Sequence, residues 1–246
     1  MFTSFASLLQ KIPPTWLTPP IHCLLCLTII PKGKIALCDD CRADLPVINQ
    51  GCQHCNLPLP YDGICGQCLQ KTPVFFQAIT PYRYDFPIAQ LITLFKHHKQ
   101  WPTGHSLSQL LSQHLSYRYQ QGLKKPDYLI SVPLPGKRLR ERSFNQTEMM
   151  VKWLAKELKL DYQTNLIKRI TNTFPQQQLS AKERAKNLAN AFTIDSKIKL
   201  TNHHIAIIDD VITTGTTANK LAELLYQQGA KRVDIYAIAR TPQRIK

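Results

Sequence analysis

The chain has 246 residues, 43% of them hydrophobic, and its 31 basic and 16 acidic side chains give a formal net charge of +15. This composition is that of a soluble globular protein, and the length allows one large domain or a small module joined to a domain of normal size. The longest early apolar run, residues 21–30, has about half the length of a membrane-spanning helix, so we expect no membrane insertion.

The first twenty residues are interpreted as an N-terminal extension, 1–20. They contain four prolines, and they lack the basic start and the small-residue cleavage site of a secretory signal. We therefore expect a cytoplasmic protein.

The cysteines form four CxxC pairs, none of them after position 68. One pair offers two thiolates to a metal ion, and two pairs complete a four-cysteine zinc site. The spacing predicts two structural zinc ions in a double zinc-ribbon module over 21–72, with the pairs used sequentially or in an interleaved cross-brace. Disulfides would be unusual in a reducing cytosol, a redox motif needs only one exposed pair, and a closed four-thiolate site leaves no position for catalysis. The predicted zinc ligands are Cys23, Cys26, Cys38, Cys41, Cys52, Cys55, Cys65 and Cys68.

The charge is distributed unevenly along the chain. Residues 1–75 carry 5 basic and 4 acidic side chains, whereas residues 76–246 carry 26 and 12. We place a second domain at 76–246, and its positive surplus predicts a polyanionic partner or an electrostatic funnel for a phosphorylated ligand. A solvated basic surface without a partner is the alternative.

Apolar periodicity predicts four elements after the zinc module: a strand over 74–84, helices over 86–98 and 103–120, and a strand over 128–132. Two aromatic-basic-aromatic triplets, 82–84 and 117–119, have the composition of surfaces that stack the bases of a single strand. Their tyrosines could equally be half-buried packing residues.

A basic turn follows the 128–132 strand, and a helix over 145–158 comes next. Basic residues after an early strand of a mononucleotide-binding fold are placed to meet a second anionic group, although surface charge is a competing interpretation. Further along, Ser180 and Glu183 form a capping box for a short basic helix. The candidates for contacts with pyrophosphate or DNA phosphates are Pro133, Lys137, Arg138, Arg140, Arg142 and Arg184.

The stretch from His204 to Thr217 carries the most chemistry. Its apolar start predicts a buried parallel strand, with two acidic residues at the carboxyl end, where open α/β sheets place their ligands. A glycine among threonines then leads into a helix, and such a turn donates backbone N–H groups and hydroxyls to phosphate oxygens, while carboxylates suit sugar hydroxyls. The order of strand, acidic pair, threonine-glycine turn and helix predicts a sugar-phosphate site. The alternative is a buried strand followed by an ordinary helix cap. A last strand is predicted over 232–239. The ribose and phosphate candidates are Asp209, Asp210, Thr213, Thr214, Gly215, Thr216 and Thr217.

Residues 205–217 resemble the signature for phosphoribosyl pyrophosphate (PRPP) of the type I phosphoribosyltransferases. The resemblance implies that Asp209 and Asp210 face the ribose 2′ and 3′ hydroxyls, that 213–217 cradle the 5′-phosphate, and that Mg²⁺ accompanies PRPP. It also implies that the loop 171–179 and the short basic helix after it form a flexible lid over the ligand. From Cys23 onward the chain is similar to the ComF/GntX family, which joins a cysteine-rich zinc module to a phosphoribosyltransferase-like domain with a mainly parallel sheet. The resemblance is carried by the four CxxC pairs, the PRPP-type motif, the run 142–146, and Val132, Pro133, Leu179, Ser180, Arg184, Asn187, Leu188, Ala191 and Phe192. It departs where the family run usually reads RGFNQ, because Ser143 replaces the glycine, and at Pro175, which a threonine usually occupies.

The family resemblance implies a cytosolic factor in DNA uptake and natural transformation. Its expected partners are PRPP or a related sugar phosphate, single-stranded DNA and other competence proteins such as a DNA translocase. The alternative is an active transferase that moves ribose 5-phosphate from PRPP to a nitrogen base in nucleotide salvage. No residue at a readable position recognises or deprotonates an acceptor base, so the catalytic candidates are only Asp209 and Asp210.

Overall fold

A computed structural model describes residues 21–31, 35–170, 191–195 and 197–243. The chain divides into two compact units, Met1–Ala43 and Asp44–Lys246. The domain boundary expected between 72 and 76 stays a prediction. Every helix in the described ranges is too short or too polar to traverse a lipid bilayer.

The first unit contains a short antiparallel hairpin and a helix. Strands β1 (Ile21–His22) and β2 (Ile29–Ile30) pair, and helix α1 spans Asp39–Ala43. The turn of the hairpin carries one CxxC pair, and its tightness is maintained by a bond from the Cys23 N–H to the Thr28 carbonyl oxygen at 2.8 Å. Elements this short bury few apolar side chains, so a bound metal ion is the expected source of their stability.

The second unit begins with the other cysteine-rich segment. Isolated bridges join Gly51 to Pro58 and Cys52 to Gly63, and helix α2 spans Gly66–Gln70. The four cysteines of this segment are buried in the same apolar cluster as residues of the main sheet. The second ribbon is therefore part of the core of this unit.

A parallel sheet of six strands forms the centre of the second unit. The strand order is β3-β10-β9-β5-β6, with β4 also paired to β10, and every neighbouring pair is parallel. Strands β9 and β10 are almost continuously buried, as expected for strands covered on both faces. Two further strands, β7 and β8, form a separate antiparallel pair. The strands are β3 (Gln77–Ile79), β4 (Tyr82–Arg83), β5 (Tyr128–Ser131), β6 (Asp161–Gln163), β7 (Ile167–Arg169), β8 (Phe192–Ile194), β9 (His204–Ile212) and β10 (Arg232–Arg240).

Among the residues that the structure describes, five helices follow α2 in the second unit. Helix α6 contacts β5 and β9 and packs against α4, which in turn packs against α3. Helix α7 contacts β10, and its apolar side chains join the cluster that includes the second group of cysteines. The helices are α3 (Ile88–His98), α4 (Trp101–Gln120), α5 (Gly136–Arg142), α6 (Gln146–Leu158) and α7 (Thr216–Gln227).

The structure confirms the parallel α/β fold, and it corrects several local expectations. The single strand expected over 74–84 is two short strands, because the chain bends between Ile79 and Tyr82 while both pieces pair with β10. The basic turn is helix α5 instead of a loop. Strand β9 runs past both aspartates to Ile212, since β10 continues to pair with it there. The capping-box helix and Arg184 lie outside the described residues.

Ser143 has the backbone conformation that a glycine would supply. It ends α5 with φ of 62°, in the left-handed region, and its N–H donates to the Leu139 carbonyl oxygen at 2.8 Å. A side chain in this region meets the following carbonyl oxygen, which costs about 1–2 kcal/mol. The departure from the family pattern therefore changes the residue and keeps the turn.

We predict that Ser143→Gly raises the free energy of unfolding by about 0.5 to 1 kcal/mol, because it relieves the strain at a positive φ. Urea denaturation measures the change. Ser143→Ala is the matched control: it keeps the strain and loses only the exposed bond from Lys99 Nζ to Ser143 Oγ, 3.3 Å long. A glycine variant less stable than the alanine variant would contradict the prediction.

Candidate functional site

The candidate site lies at the carboxyl edge of the parallel sheet. Strands β5 and β9 are neighbours and parallel, so the segments that follow them meet at one edge. Asn145 accepts a bond from the Thr147 N–H at 3.1 Å and caps α6, while its own Nδ2 donates to the Val132 carbonyl oxygen at 3.2 Å. Thr147 Oγ1 donates to the same carbonyl at 2.8 Å. These bonds attach the start of α6, and with it the basic segment, to the end of β5.

Asp210 is the centre of a buried polar group on one face of the sheet. Its Oδ1 lies 2.7 Å from Lys96 Nζ, and its Oδ2 accepts from Gln146 Nε2 at 2.9 Å. The Asp210 side chain is 6% exposed and that of Lys96 is 19% exposed, so the ion pair is largely removed from water. Removing one partner of such a pair would leave an uncompensated buried charge. Both carboxylate oxygens of Asp210 are therefore engaged in the described structure.

Asp209 points to the opposite face of β9, because neighbouring strand residues alternate. It is half-buried, and its Oδ1 accepts from the Asp210 N–H at 2.8 Å. Burial, and then the negative charge of Asp210, raise the pKa of Asp209 to about 7. Near neutral pH both protonation states of this carboxyl group are populated, and a cation or hydroxyl donor beside it would favour the charged form. A shared role of the two aspartates in ribose binding stays a prediction.

The threonine loop presents donors at the start of α7. Gly215 has φ of 74° and occupies the N-cap position, where it has no side chain to cap the helix. The Thr216 N–H donates to Thr214 Oγ1 at 3.4 Å, and the next N–H groups of the first turn, which have no acceptor within the helix, are donors for a ligand. Thr214 Oγ1 and Thr216 Oγ1 lie 2.7 Å apart, and both residues are exposed, as is Thr213. The binding of a phosphate by residues 213–217 stays a prediction.

A basic cavity of about 440 Å³ is lined in part by Lys96, the ion-pair partner of Asp210. Arg138 and Arg142 are four residues apart and line it from one face of α5, whereas Lys137 and Arg140 are exposed and do not line it. Burial, and then the charges of Arg142 and Lys96, lower the pKa of His97. Pro133 is half-buried just after β5. The cavity is lined by Tyr84, Thr93, Lys96, His97, Lys99, Arg138, Glu141 and Arg142.

Lys96 and its neighbours on α3 were not predicted as site residues. The only sequence signal was a basic cluster in the last turn of an amphipathic helix, which usually complements the helix dipole. Nothing local indicates that Lys96 reaches the acidic pair, because that contact depends on the packing of α3 near β9.

The cysteines form two groups with the pairs used sequentially. Within each group the sulfur atoms lie within 4.8 Å of one another, close enough for one ion. Four thiolates in a closed set suit tetrahedral zinc and support two structural zinc sites. The interleaved alternative is excluded by this grouping. The first group is Cys23, Cys26, Cys38 and Cys41, and the second is Cys52, Cys55, Cys65 and Cys68.

Comparison with known families agrees with the presence of a cysteine-rich segment and an α/β domain. Residues 15–69 match the double zinc ribbon domain, and residues 148–246 match the phosphoribosyl transferase domain. With the parallel sheet and the two cysteine groups, they define a zinc-ribbon protein with a phosphoribosyltransferase-type domain.

Relatives along the whole chain identify the family. The DNA utilization protein YhgH of Escherichia coli (strain K12) is 34% identical over 227 residues, which cover 92% of this chain and 99% of the relative. Competence protein F of Haemophilus influenzae is 33% identical, with 89% and 96% covered. Competence protein ComFC of Streptococcus pneumoniae is 26% identical, with 89% and 100% covered. The chain belongs to this family, the ComF family.

Solved phosphoribosyltransferases are only distantly similar. A hypoxanthine phosphoribosyltransferase from Staphylococcus aureus is 15% identical with a TM-score of 0.36, covering 58% of this chain and 70% of that chain. The enzyme from Trypanosoma cruzi is 16% identical with a TM-score of 0.39, covering 57% and 74%. At these values the likeness carries no functional argument.

We predict that Asp209→Asn stabilises the protein at pH 8 by on the order of 1–3 kcal/mol. In the folded protein the pKa of Asp209 is raised from the ordinary 3.8 to about 7. Between these two pH values the native state therefore binds more protons than the unfolded state. The titration of Asp209 therefore lowers the free energy of unfolding of wild type as the pH rises from about 4 to about 7. The asparagine variant does not titrate there, so its stability does not fall in this way.

Chemical denaturation at a series of pH values gives the difference between wild type and variant. Asp161→Asn, at an exposed aspartate of β6, is the control and should show no such trend. A difference between Asp209→Asn and wild type that stays constant from pH 4 to 8 would refute the proposed pKa.

Proposed function

We propose that this protein acts in the uptake and use of DNA in the cytoplasm, as a natural transformation factor that handles single strands and binds PRPP or a related sugar phosphate. The observation that carries the proposal is the adjacency of a cationic cavity and an acidic strand end at one sheet edge, with Lys96 common to both. The names of the relatives, DNA utilization protein and competence protein, support the biological setting. A DNA translocase is the expected class of protein partner.

The sugar-phosphate part of the proposal uses the threonine loop and Asp209. The 5′-phosphate would accept bonds from the first N–H groups of α7 and from the hydroxyls of residues 213–217, and the helix dipole favours the negative charge. Asp209 is half-buried, and no described cation pairs with it, so its carboxylate can accept from ribose hydroxyls or approach Mg²⁺. Mg²⁺ would neutralise charge on the pyrophosphate and ribose oxygens. Asp210 would take part only if the bond from Gln146 or the pair with Lys96 rearranges.

The DNA part uses an aromatic surface beside the basic cavity. Trp101 is 45% exposed, and its ring centroid lies 4.9 Å from that of Phe144. Phe144 follows Ser143, which accepts a bond from Lys99 of the cavity wall. A phosphate in the cavity and a base on Trp101 would fit one strand, since stacking on aromatic rings tolerates any base.

The aromatic triplets support this surface less well than the sequence suggested. Tyr82 is 8% exposed, and the hydroxyl of Tyr119 is buried, so both are packing residues. Tyr117 is 59% exposed and could contribute.

An active phosphoribosyltransferase is the second candidate. The pKa of Asp209, raised to about 7, favours it, because a carboxyl group that exchanges its proton near neutral pH can act as a general base. Release of pyrophosphate from PRPP with a panel of purine and pyrimidine bases tests this activity. Release of pyrophosphate that depends on one base and is lost in Asp209→Asn would support a transferase. If no base of the panel causes release, the proposal is reduced to binding without catalysis.

For the sugar-phosphate site we predict saturable binding of PRPP with Mg²⁺ by calorimetry, weakened at least about 100-fold when Asp209→Ala is combined with Asp210→Ala. Each lost hydrogen bond to a charged group removes roughly 1.5–3 kcal/mol. Asp161→Ala, which removes one exposed carboxylate of β6, is the surface control and should bind like wild type. Unchanged affinity in the double variant would refute the site.

For DNA we predict that Trp101→Ala weakens binding of a fluorescent single strand about tenfold, because stacking of one base contributes roughly 1–3 kcal/mol, and that Trp101→Phe restores most of the affinity. Arg138→Gln should lower the slope of log affinity against log salt by about one. Tyr61→Ala, at a tyrosine that is 61% exposed, is the control. Equal affinity of the Trp101 and Tyr61 variants, or binding that does not respond to salt, would count against the surface.

A further inference from the structure

Arg240, the last residue of β10, is a buried arginine shared by two sites. It is 3% exposed. Its Nε donates to the carbonyl oxygen of Cys55 at 3.0 Å, and its Nη1 donates to that of Ile212 at 3.1 Å and to that of Thr213. One guanidinium thus joins a predicted zinc ligand to the residues that begin the threonine loop.

The charge of Arg240 also suits the second cysteine group. Its Nη2 lies 3.9 Å from the sulfur of Cys55. Four thiolates around Zn²⁺ carry a net negative charge, and a guanidinium beside them compensates it, as second-shell partners of metal ligands commonly do. A buried arginine needs a negative charge nearby and acceptors for its N–H groups. The zinc-bound thiolates supply the charge and the loop carbonyls supply acceptors, so zinc binding and the observed position of the loop stabilise each other through Arg240.

The second ribbon also forms a wall beside the loop. A cavity of about 440 Å³ is lined on one side by Cys55, Cys68 and Lys71, and on the other by the threonine loop and Lys220. The ring of Phe75 packs next to Gly215. The N–H of Val74 donates to Asn219 Oδ1 in α7 at 2.8 Å.

We propose that Arg240 is a positioning residue that couples zinc at Cys52, Cys55, Cys65 and Cys68 to ligand binding at residues 213–217. Zinc fixes the Cys55 carbonyl, Arg240 transmits that position to the loop carbonyls, and the loop then presents its donors to a phosphate. By linkage, a ligand on the loop tightens the binding of this zinc ion by the same coupling energy, and we expect the tighter binding to slow the release of the ion. The proposal rests on the sugar-phosphate site proposed above.

The test follows zinc release from the full-length protein into a chromogenic chelator, with and without saturating PRPP and Mg²⁺. We expect two zinc ions per chain, of which PRPP slows the release of one by about tenfold, within the usual range of coupling between sites. Arg240→Lys keeps the charge and loses the fork of donors, so it should release that zinc faster and lose the protection by PRPP. Arg232→Lys is the matched control at the opposite end of β10: it also loses a fork of donors, here to the buried Asp234, so it controls for a general loss of stability and should keep the protection by PRPP.

PRPP itself binds metal ions, so the Asp209→Ala, Asp210→Ala protein is measured in the same PRPP concentration and should show no protection. If PRPP binds wild type by calorimetry and both zinc ions leave at unchanged rates, the coupling is wrong and the ligand site stands. If wild type binds no PRPP, the proposed ligand is wrong, and Arg240→Lys without ligand still tests the contact: zinc release at the wild-type rate overturns it. If the melting curve shows that Arg240→Lys does not fold, the effect of PRPP on zinc release from wild type is the remaining test, and an absence of protection overturns the proposal.

Discussion

The position of β9 is the constraint on which the rest of the second unit depends. It pairs with β10 on one side and β5 on the other, and it is buried on both faces. Because a one-residue slip would exchange its two faces, the register fixes Asp210 toward α6 and Asp209 toward the opposite face. The chemistry of the sheet edge follows from that register.

The two faces of β9 carry different chemical groups. On one, Asp210 is engaged by Lys96 and Gln146 beside the basic cavity. On the other, Asp209 has a raised pKa, and the threonine loop turns into α7 close to the second ribbon. One sheet edge therefore offers an acidic group, a helix N-terminus and a cationic cavity, which together suit a ligand with a sugar and more than one phosphate.

Features set by local sequence could be predicted, and those set by packing could not. The CxxC spacing predicted two four-cysteine groups, and the order of strand, acids, glycine and helix predicted the loop, because both depend on neighbouring residues. Pro133 and Pro135 predict a turn after the 128–132 strand, whereas the basic residues that follow them form helix α5. The contacts of Lys96 with Asp210 and of Arg240 with Cys55 join residues remote in sequence, so only the folded chain brings them together.

In the proposed function, the end of β9 and the start of α7 hold a sugar phosphate. A crystal structure of the protein grown with Mg²⁺ and PRPP tests it most directly. We predict the 5′-phosphate within hydrogen-bond distance of the N–H groups of residues 214–217, with the ribose hydroxyls near Asp209. Density for PRPP elsewhere, with the threonine loop unliganded, would contradict the claim.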